Sequence, residues 1–361
     1  MSQINKREYN FSAGPGTLPE EILLELKNEL PVYEDIGTSV IEISHRSATY
    51  TEIAASARTR LRKLLGLGKE WHILFLQGGA SMQFYQVPLN FLSEGDVADY
   101  LVTGTWSVKA VKEAVQIAKA NEAASSKDKN FSYIPDPASW QLSPGAKYLH
   151  YTSNNTISGT QFHVEPNVDA PLVCDASSDF LSKPMDLDRY GLIYAGAQKN
   201  IGPAGVTVVL VKDSFLEQRK SGLPTMMDYG THTAKLFNTP PVFAVYLVEK
   251  VLRWLEGKGG IPGIGKINEE KANRLYGKID ATDFYRGTAE EKSRSQMNVC
   301  FRLPTEELEA KFVSEAASAG LQALKGHRSV GGIRASIYNA CPLAAVDALV
   351  SFMDDFERNN G

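Results

Sequence analysis

From about residue 48 to residue 258, short apolar runs alternate with stretches of helical spacing, and few architectures accept that alternation. Tyr50, Ile53, Ala54, Ala57, Leu61 and Leu64 recur at the intervals of one helix face, with Gly66 as the stop. Residues 73–76 and 97–102 read as buried strands, and Val108, Val111, Val115 and Ala118 return to helical spacing. Residues 148–151, 172–174, 192–194 and 206–211 are further short apolar strands. The pattern predicts an α/β fold, with a mainly parallel central sheet covered by helices.

The pattern changes near Gly257-Lys258-Gly259-Gly260. Beyond it come a strand-like run at 297–303, a helix over about 306–318 ending before Gly320, and an amphipathic helix over about 344–357. These predict a smaller α+β C-terminal domain over 259–361 and a large domain over 16–258. Residues 1–15 are expected to join the small domain. A chain of 361 residues has room for both.

Several function classes lose ground on totals. A net charge of −4 gives no electrostatic footprint for nucleic acid or an anionic membrane. The polar start MSQINKREYN is no signal peptide, and no apolar run approaches the 18 residues of a membrane span. Cys174, Cys300 and Cys341 are few and far apart, as expected of reduced thiols in the cytoplasm. With no CxxC, no HExxH and no His/Cys cluster, no metal site is expected.

The polar residues with chemistry to offer follow the strands. Gln77-Gly78-Gly79-Ala80-Ser81 comes after the strand at 73–76 and Thr103-Gly104-Thr105-Trp106 after the next. Thr152–Thr156 follows a third, Asp175 a fourth, and Lys199 stands just past residues 192–194. Ligands of open α/β sheets collect at such strand ends. The turn at Gly78-Gly79 offers free amides and a helix dipole to a phosphate, a weak signal alone. It is neither GxGxxG nor GxxxxGK[ST], which disfavours a dinucleotide-binding dehydrogenase or an ATP site. Trp106 is either core or a stacking surface for an aromatic ring. A buried Asp175 needs a partner, and a protonated heteroaromatic nitrogen would serve. Phosphate, aromatic ring, ring nitrogen and lysine together describe pyridoxal 5′-phosphate, with Lys199 forming the Schiff base and Asp175 keeping the ring nitrogen protonated. Small neighbours such as Ala197 and Gly202 are expected to leave the cofactor room.

The chain resembles the phosphoserine aminotransferases, class V, fold-type I pyridoxal-phosphate enzymes, over nearly its whole length. The resemblance is carried by FSAGPGTLP at 11–19, SHRS at 44–47, GGASMQF at 78–84, TGTWS at 103–107, TSNNTISG at 152–159 and DASSDFLS at 175–182. AGAQKNIGPAG at 195–205, FNTPPVFA at 237–244 and GHRSVGGIRASIYNA at 326–340 are the most specific. GGASMQF departs from relatives with GGGRGQF, where an arginine replaces Ser81. By this resemblance Lys199 is the Schiff-base lysine, Asp175 the partner of the pyridine nitrogen and Trp106 the stacking ring. Thr156 would touch the cofactor on its phenolic-oxygen side or its phosphate end. Ala80, Ser81 and Gln198 would hold the phosphate, with Asn238 and Thr239 arriving from the neighbouring subunit of a homodimer.

The resemblance also implies the substrates. Arg334 would grip the α-carboxylate as a bidentate pair. His327 and Arg328, with His45 and Arg46 of the partner subunit, would take a second anion, a side-chain phosphate. An unpartnered buried charge costs roughly 3–5 kcal/mol, so unphosphorylated serine or alanine should be poor substrates. The implied reaction is L-glutamate plus 3-phosphohydroxypyruvate giving 2-oxoglutarate plus O-phospho-L-serine, in serine biosynthesis. A phosphorylated hydroxythreonine of pyridoxine synthesis fits the same groups. The rivals are serine– or alanine–glyoxylate aminotransferases, which have no need of His327-Arg328, and cysteine desulfurases, for which no cysteine here is suitably placed.

Overall fold

The computed structural model describes residues 7–361. Its main sheet has seven strands: β1 (Trp71–Leu76), β2 (Val97–Val102), β3 (Lys119–Ser125), β4 (Leu149–Thr152), β5 (Leu172–Asp175), β6 (Tyr190–Gly196) and β7 (Thr207–Lys212). They lie in the order β1-β7-β6-β5-β4-β2-β3. Every pairing is parallel except those of β7, which runs antiparallel to both β1 and β6. The six strands sharing a direction bring their carboxyl ends to one edge, where the residues singled out above are found. Strands β4, β5 and β6 are buried at every position. A sheet covered on both faces has no wet side to impose alternation, hence their unbroken apolar runs.

The helix read from Tyr50 to Leu64 spans Ala48–Leu65. Ser47 caps it by accepting from the Tyr50 amide at 3.1 Å, and Gly66 closes it in the left-handed conformation. The next helical reading needs correction. The helix after β2 stops at Ala114, and Val115 lies 55 % exposed in the turn beyond. Residues 119–125, which no pattern marked, form β3. It is an edge strand paired only with β2, and within Lys-Ala-Asn-Glu-Ala-Ala-Ser only Ala123 is buried.

A second hydrophobic core lies beyond the first. It joins Leu275 of the helix Gly260–Asp280 to Val299, Phe301, Phe312, Ile333, Leu349 and Phe356. Strands Arg286–Gly287, Asn298–Arg302 and Ile333–Ser336 make its antiparallel sheet, and helices Glu306–Ser318 and Leu343–Asn360 cover it. The chain's beginning belongs here too. Tyr9–Asn10 pairs in parallel with Leu321–Gln322, and Phe11 is wholly buried in this core, a burial worth about 2–3 kcal/mol. Among the described residues no helix is long and apolar enough to cross a membrane.

Candidate active site

Lys199 stands in the turn that reverses the chain from β6 into β7. The turn is closed at its base by the Ala197 amide on the Val206 carbonyl (3.0 Å) and the Ile201 amide on the Ala197 carbonyl (3.2 Å). Its small residues serve packing and not cofactor space, contrary to the expectation above. Ala197 is fully buried in the main core, and a Cβ on Gly202 would lie 2.8 Å from Val248 of the helix Val242–Gly257. That close approach seats the far side of the turn, beyond Lys199, on the helix.

Asp175 ends β5, one strand away. It is 3 % exposed and accepts from the Ser177 amide (3.0 Å) and hydroxyl (2.6 Å), both at Oδ1. Among the described residues no hydrogen bond reaches Oδ2. Burial raises the pKa of the Asp175 carboxyl, while the Lys199 ammonium and Ser177 pull it back down. Burial lowers the pKa of Lys199, and Asp175 opposes that. A carboxylate so placed calls for a further cation, and burial shifts the lysine in the direction a nucleophile needs.

Trp106 opens the helix after β2. Lys199 Nζ lies 5.5 Å from its ring centroid, and its indole N–H donates to Thr156 Oγ1 at 3.1 Å. Thr156 also accepts, at its carbonyl, from the Arg334 guanidinium at 2.9 Å. Arg334 lies on the strand Ile333–Ser336, so the second core delivers an arginine to the edge of the first sheet. His327 follows on the adjoining turn, with its Nδ1 2.7 Å from the Ser329 hydroxyl. Burial lowers its pKa first, and then the charges of Arg334, Arg328 and Lys109. The four cationic positions therefore share one field. The structure thus brings Lys199, Asp175, Trp106, Thr156 and Arg334 together, with His327 in the field of Arg334 and Arg328 exposed on the turn beside it.

At the other end of the cleft, the helix Gly79–Phe91 begins at the carboxyl end of β1. Among the described residues the amides of Gly79, Ala80 and Ser81 donate to no acceptor, an open cradle for an anion. Gln198 sits beside Lys199, its carbonyl taken by the Gly16 amide at 2.7 Å. Asn238 donates to Gln77 of its own chain at 2.8 Å, just ahead of that cradle, and Thr239 follows it. His45 and Arg46 precede the helix Ala48–Leu65. His45 lines a groove of about 430 Å³ with His232, Leu236, Phe237 and Asn238, and neither Lys199 nor Arg334 lines it. Within one chain, then, His45 is not brought to the Arg334 cluster.

Two members escaped the sequence reading. Ser177 lies inside DASSDFLS but was not assigned to Asp175, although a serine two residues past a buried aspartate is a common local partner. Lys109 follows Trp106 by three residues on one helix and puts Nζ 4.7 Å from the ring centroid. That spacing alone places the two side chains together.

The site fits pyridoxal phosphate on the chain's own terms: free amides for the phosphate, an indole face for the ring, a carboxylate oxygen without a donor and a lysine within reach. Comparison with known proteins agrees. The model of the family described as aminotransferase class-V matches residues 8–349. A phosphoserine aminotransferase of Desulfosudis oleivorans is 52 % identical over 363 aligned residues, covering 99 % of this chain and all of that relative. One from Halalkalibacterium halodurans is 51 % identical, covering 98 % and 99 %. Among solved structures, the phosphoserine aminotransferase from Bacillus circulans subsp. alkalophilus superposes with a TM-score of 0.96 at 48 % identity, over 98 % of this chain and 99 % of that one. The pyridoxal-phosphate-bound enzyme from Trichomonas vaginalis gives 0.93 at 41 %, over 96 % and 100 %. An alanine–glyoxylate aminotransferase from Nostoc gives 0.76 at 14 % identity and shares the fold alone. The chain belongs to the class-V aminotransferases, and within them to the phosphoserine aminotransferase family.

Proposed function

We propose that this chain transfers the amino group of L-glutamate to 3-phosphohydroxypyruvate, giving 2-oxoglutarate and O-phospho-L-serine in a reversible reaction. The observation that carries the reading is the meeting of Lys199, Asp175 and Trp106 at strand ends beside the Arg334–His327–Arg328 cluster. Pyridoxal phosphate, when bound, supplies the carbon that carries the amino group between substrates and a ring that draws off electrons. Asp175 would hold the proton on the ring nitrogen, and Trp106 would offer its indole face to the ring. The amides of Ala80 and Ser81 would hold the phosphate with Gln198, and Asn238 of the partner subunit and Thr239 of the partner subunit would complete that end. Thr156, tied to both Trp106 and Arg334, would link the indole that faces the ring to the arginine that takes the carboxylate.

Lys199 Nζ, disfavoured as an ammonium by burial, would take the proton from the substrate Cα and pass it to the cofactor carbon that receives the amino group, with the opposite transfer in the other half-reaction. Arg334 binds the α-carboxylate. His327 and Arg328, with His45 of the partner subunit and Arg46 of the partner subunit, bind the side-chain anion: phosphate in one half-reaction, the γ-carboxylate of glutamate in the other. An active homodimer accords with exposed apolar residues flanking those loops, Ile41 at 57 %, Leu236 at 50 % and Phe237 at 42 %. Cytoplasmic residence accords with the three unpaired cysteines. We read the division into working parts as 16–258, 259–361 and a segment 1–15 that joins the latter. The two cores support it, the helix Gly260–Asp280 bridging them with Ile261 and Ile264 in the first and Leu275 in the second, and residues 1–6 lie outside those described.

The test is the visible colour of the protein loaded with pyridoxal phosphate. L-Glutamate and O-phospho-L-serine are each expected to bleach it, while L-serine does not, and Lys199→Ala should not be bleached at a catalytic rate by either. Equal bleaching by L-serine would move the function toward the glyoxylate enzymes, and failure to take up colour would overturn the cofactor reading.

A further inference from the structure

Lys271 plays no part in the site described so far. It lies on the helix Gly260–Asp280 with no exposed surface, and no carboxylate pairs with it among the described residues. Its ammonium donates instead to three backbone carbonyls: Ile337 at 2.8 Å, Tyr338 at 2.6 Å and Cys341 at 3.1 Å. Each of the three protons has an acceptor. Burying a cation with no counter-ion is unfavourable, and a methionine would fill the same space without that cost. Burial accordingly pushes the lysine down to about 8. Lysine's return here is geometric: it gathers three carbonyls that point to one centre.

Those carbonyls belong to residues 337–341, the strap that leaves the strand bearing Arg334. The strap reaches the Lys199 turn by two routes. The Asn339 amide donates to Asn200 Oδ1 at 3.0 Å, next to Lys199 itself. The Tyr338 hydroxyl donates to the Ala13 carbonyl at 2.7 Å, and three residues on the Gly16 amide donates to the Gln198 carbonyl. Gly16 is wedged in between, since a Cβ there would lie 2.8 Å from the Tyr338 ring and 3.0 Å from the Lys199 carbonyl. Asn268, one turn before Lys271, adds a bond from its side chain to that of Asn339 at 2.8 Å.

We propose that Lys271 is a positioning residue for transamination: its three bonds fix the strap 337–341, and the strap sets where Lys199 stands relative to Arg334. The proposal rests on the reading of Lys199 as the lysine that moves the proton. It assigns Lys271 no contact with cofactor or substrate. Arg334 is held by its own strand pairing, so loosening the strap displaces chiefly Lys199. A small displacement of a proton-transferring group weakens turnover more than binding.

The test compares Lys271→Met and Asn200→Ala, singly and together, with the unaltered protein. Two readouts are used: steady-state kinetics with O-phospho-L-serine, and amide hydrogen exchange in protein free of cofactor. Each variant is expected to lose about tenfold or more in kcat with KM changed much less, and to exchange faster in peptides covering 197–202 and 336–341. The double variant should lose little more than either single one, because both break one linkage. Unchanged kcat per folded molecule with unchanged exchange at 197–202 in Lys271→Met would overturn the proposal. Should Lys271→Met not fold, Asn200→Ala decides alone by the same criteria. Failure of the unaltered protein to transaminate O-phospho-L-serine would sink the functional reading instead, while the cofactor-free exchange comparison would still judge the strap.

Discussion

His327 shows what a single side chain contributes through its surroundings. Burial and the neighbouring Arg334, Arg328 and Lys109 all disfavour its protonated form. Because its folded-state pKa is lowered, the unfolded chain binds the proton first, so this residue counts against the folded state as the pH falls through the ordinary imidazole range near 6.5. A bound phosphate reverses the balance by offering a dianion to the imidazolium. An NMR titration of the His327 ring should therefore give a midpoint below about 6.5 in the free protein, moving upward with O-phospho-L-serine. A midpoint indifferent to that ligand would remove His327 from the phosphate site. At this scale the sequence told much: Lys199, Asp175 and Trp106 stood at strand ends, and their neighbours in the chain were distinctive. What it withheld were partners fixed by folding alone. Nothing in the spacing of Lys271 says that its ammonium closes on three carbonyls some 70 residues ahead, with |i−j| values of 66, 67 and 70. The role of Gly202 was likewise invisible, because Val248 meets it from a distant helix.

Elements were legible where local signals and burial agreed. The helix Ala48–Leu65 carries a cap, one apolar face and a glycine stop, and all three operate. Replacing Ser47 by alanine removes the acceptor for the Tyr50 amide and should lower stability by about 1 kcal/mol, read from the urea midpoint. Since this helix starts directly after His45 and Arg46, the same change should raise KM for O-phospho-L-serine while the colour of the loaded protein is retained. A variant with full stability and unchanged KM would show that the cap neither anchors the helix nor orients the loop before it. Strand β3 shows the opposite case. Its residues are alanines and polar groups because it is paired on one side only and half wet, so neither alternation nor an apolar run betrays it. The Val115–Ala118 spacing resembled one more helical turn, but Val115 is exposed and the chain turns there to start that edge.

Across the whole molecule, the proposed subunit exchange of loops is open to a direct check. Lys199→Ala and a double replacement of His45 and Arg46 by alanine should each be nearly inactive as homodimers. Unfolded together and refolded, they would form hybrids in which one site combines an intact Lys199 with His45 and Arg46 of the partner subunit. Activity should reappear on mixing, and a mixture as inactive as its parents would place those two residues in their own chain's site. The groove that His45 shares with Phe237 and Asn238 gives the loops a common surface, and it was the resemblance carried by SHRS and FNTPPVFA, not any spacing or periodicity, that implied a second copy's part in the site.

The reversed strand β7 has a consequence for how the molecule is made. It lies between β1 and β6, and Trp71 at the start of β1 pairs with Lys212 at the end of β7. A chain emerging from the ribosome thus exposes β1 with no neighbouring strand until Lys212 has followed it out, while β2 to β6 can already assemble among themselves. For that interval an apolar strand waits without a ladder, the condition under which nascent proteins aggregate or engage holding chaperones. The same turn that places Lys199 is then the last closure of the sheet, so Lys199 reaches its position beside Asp175 only when the strand that completes the sheet is in place.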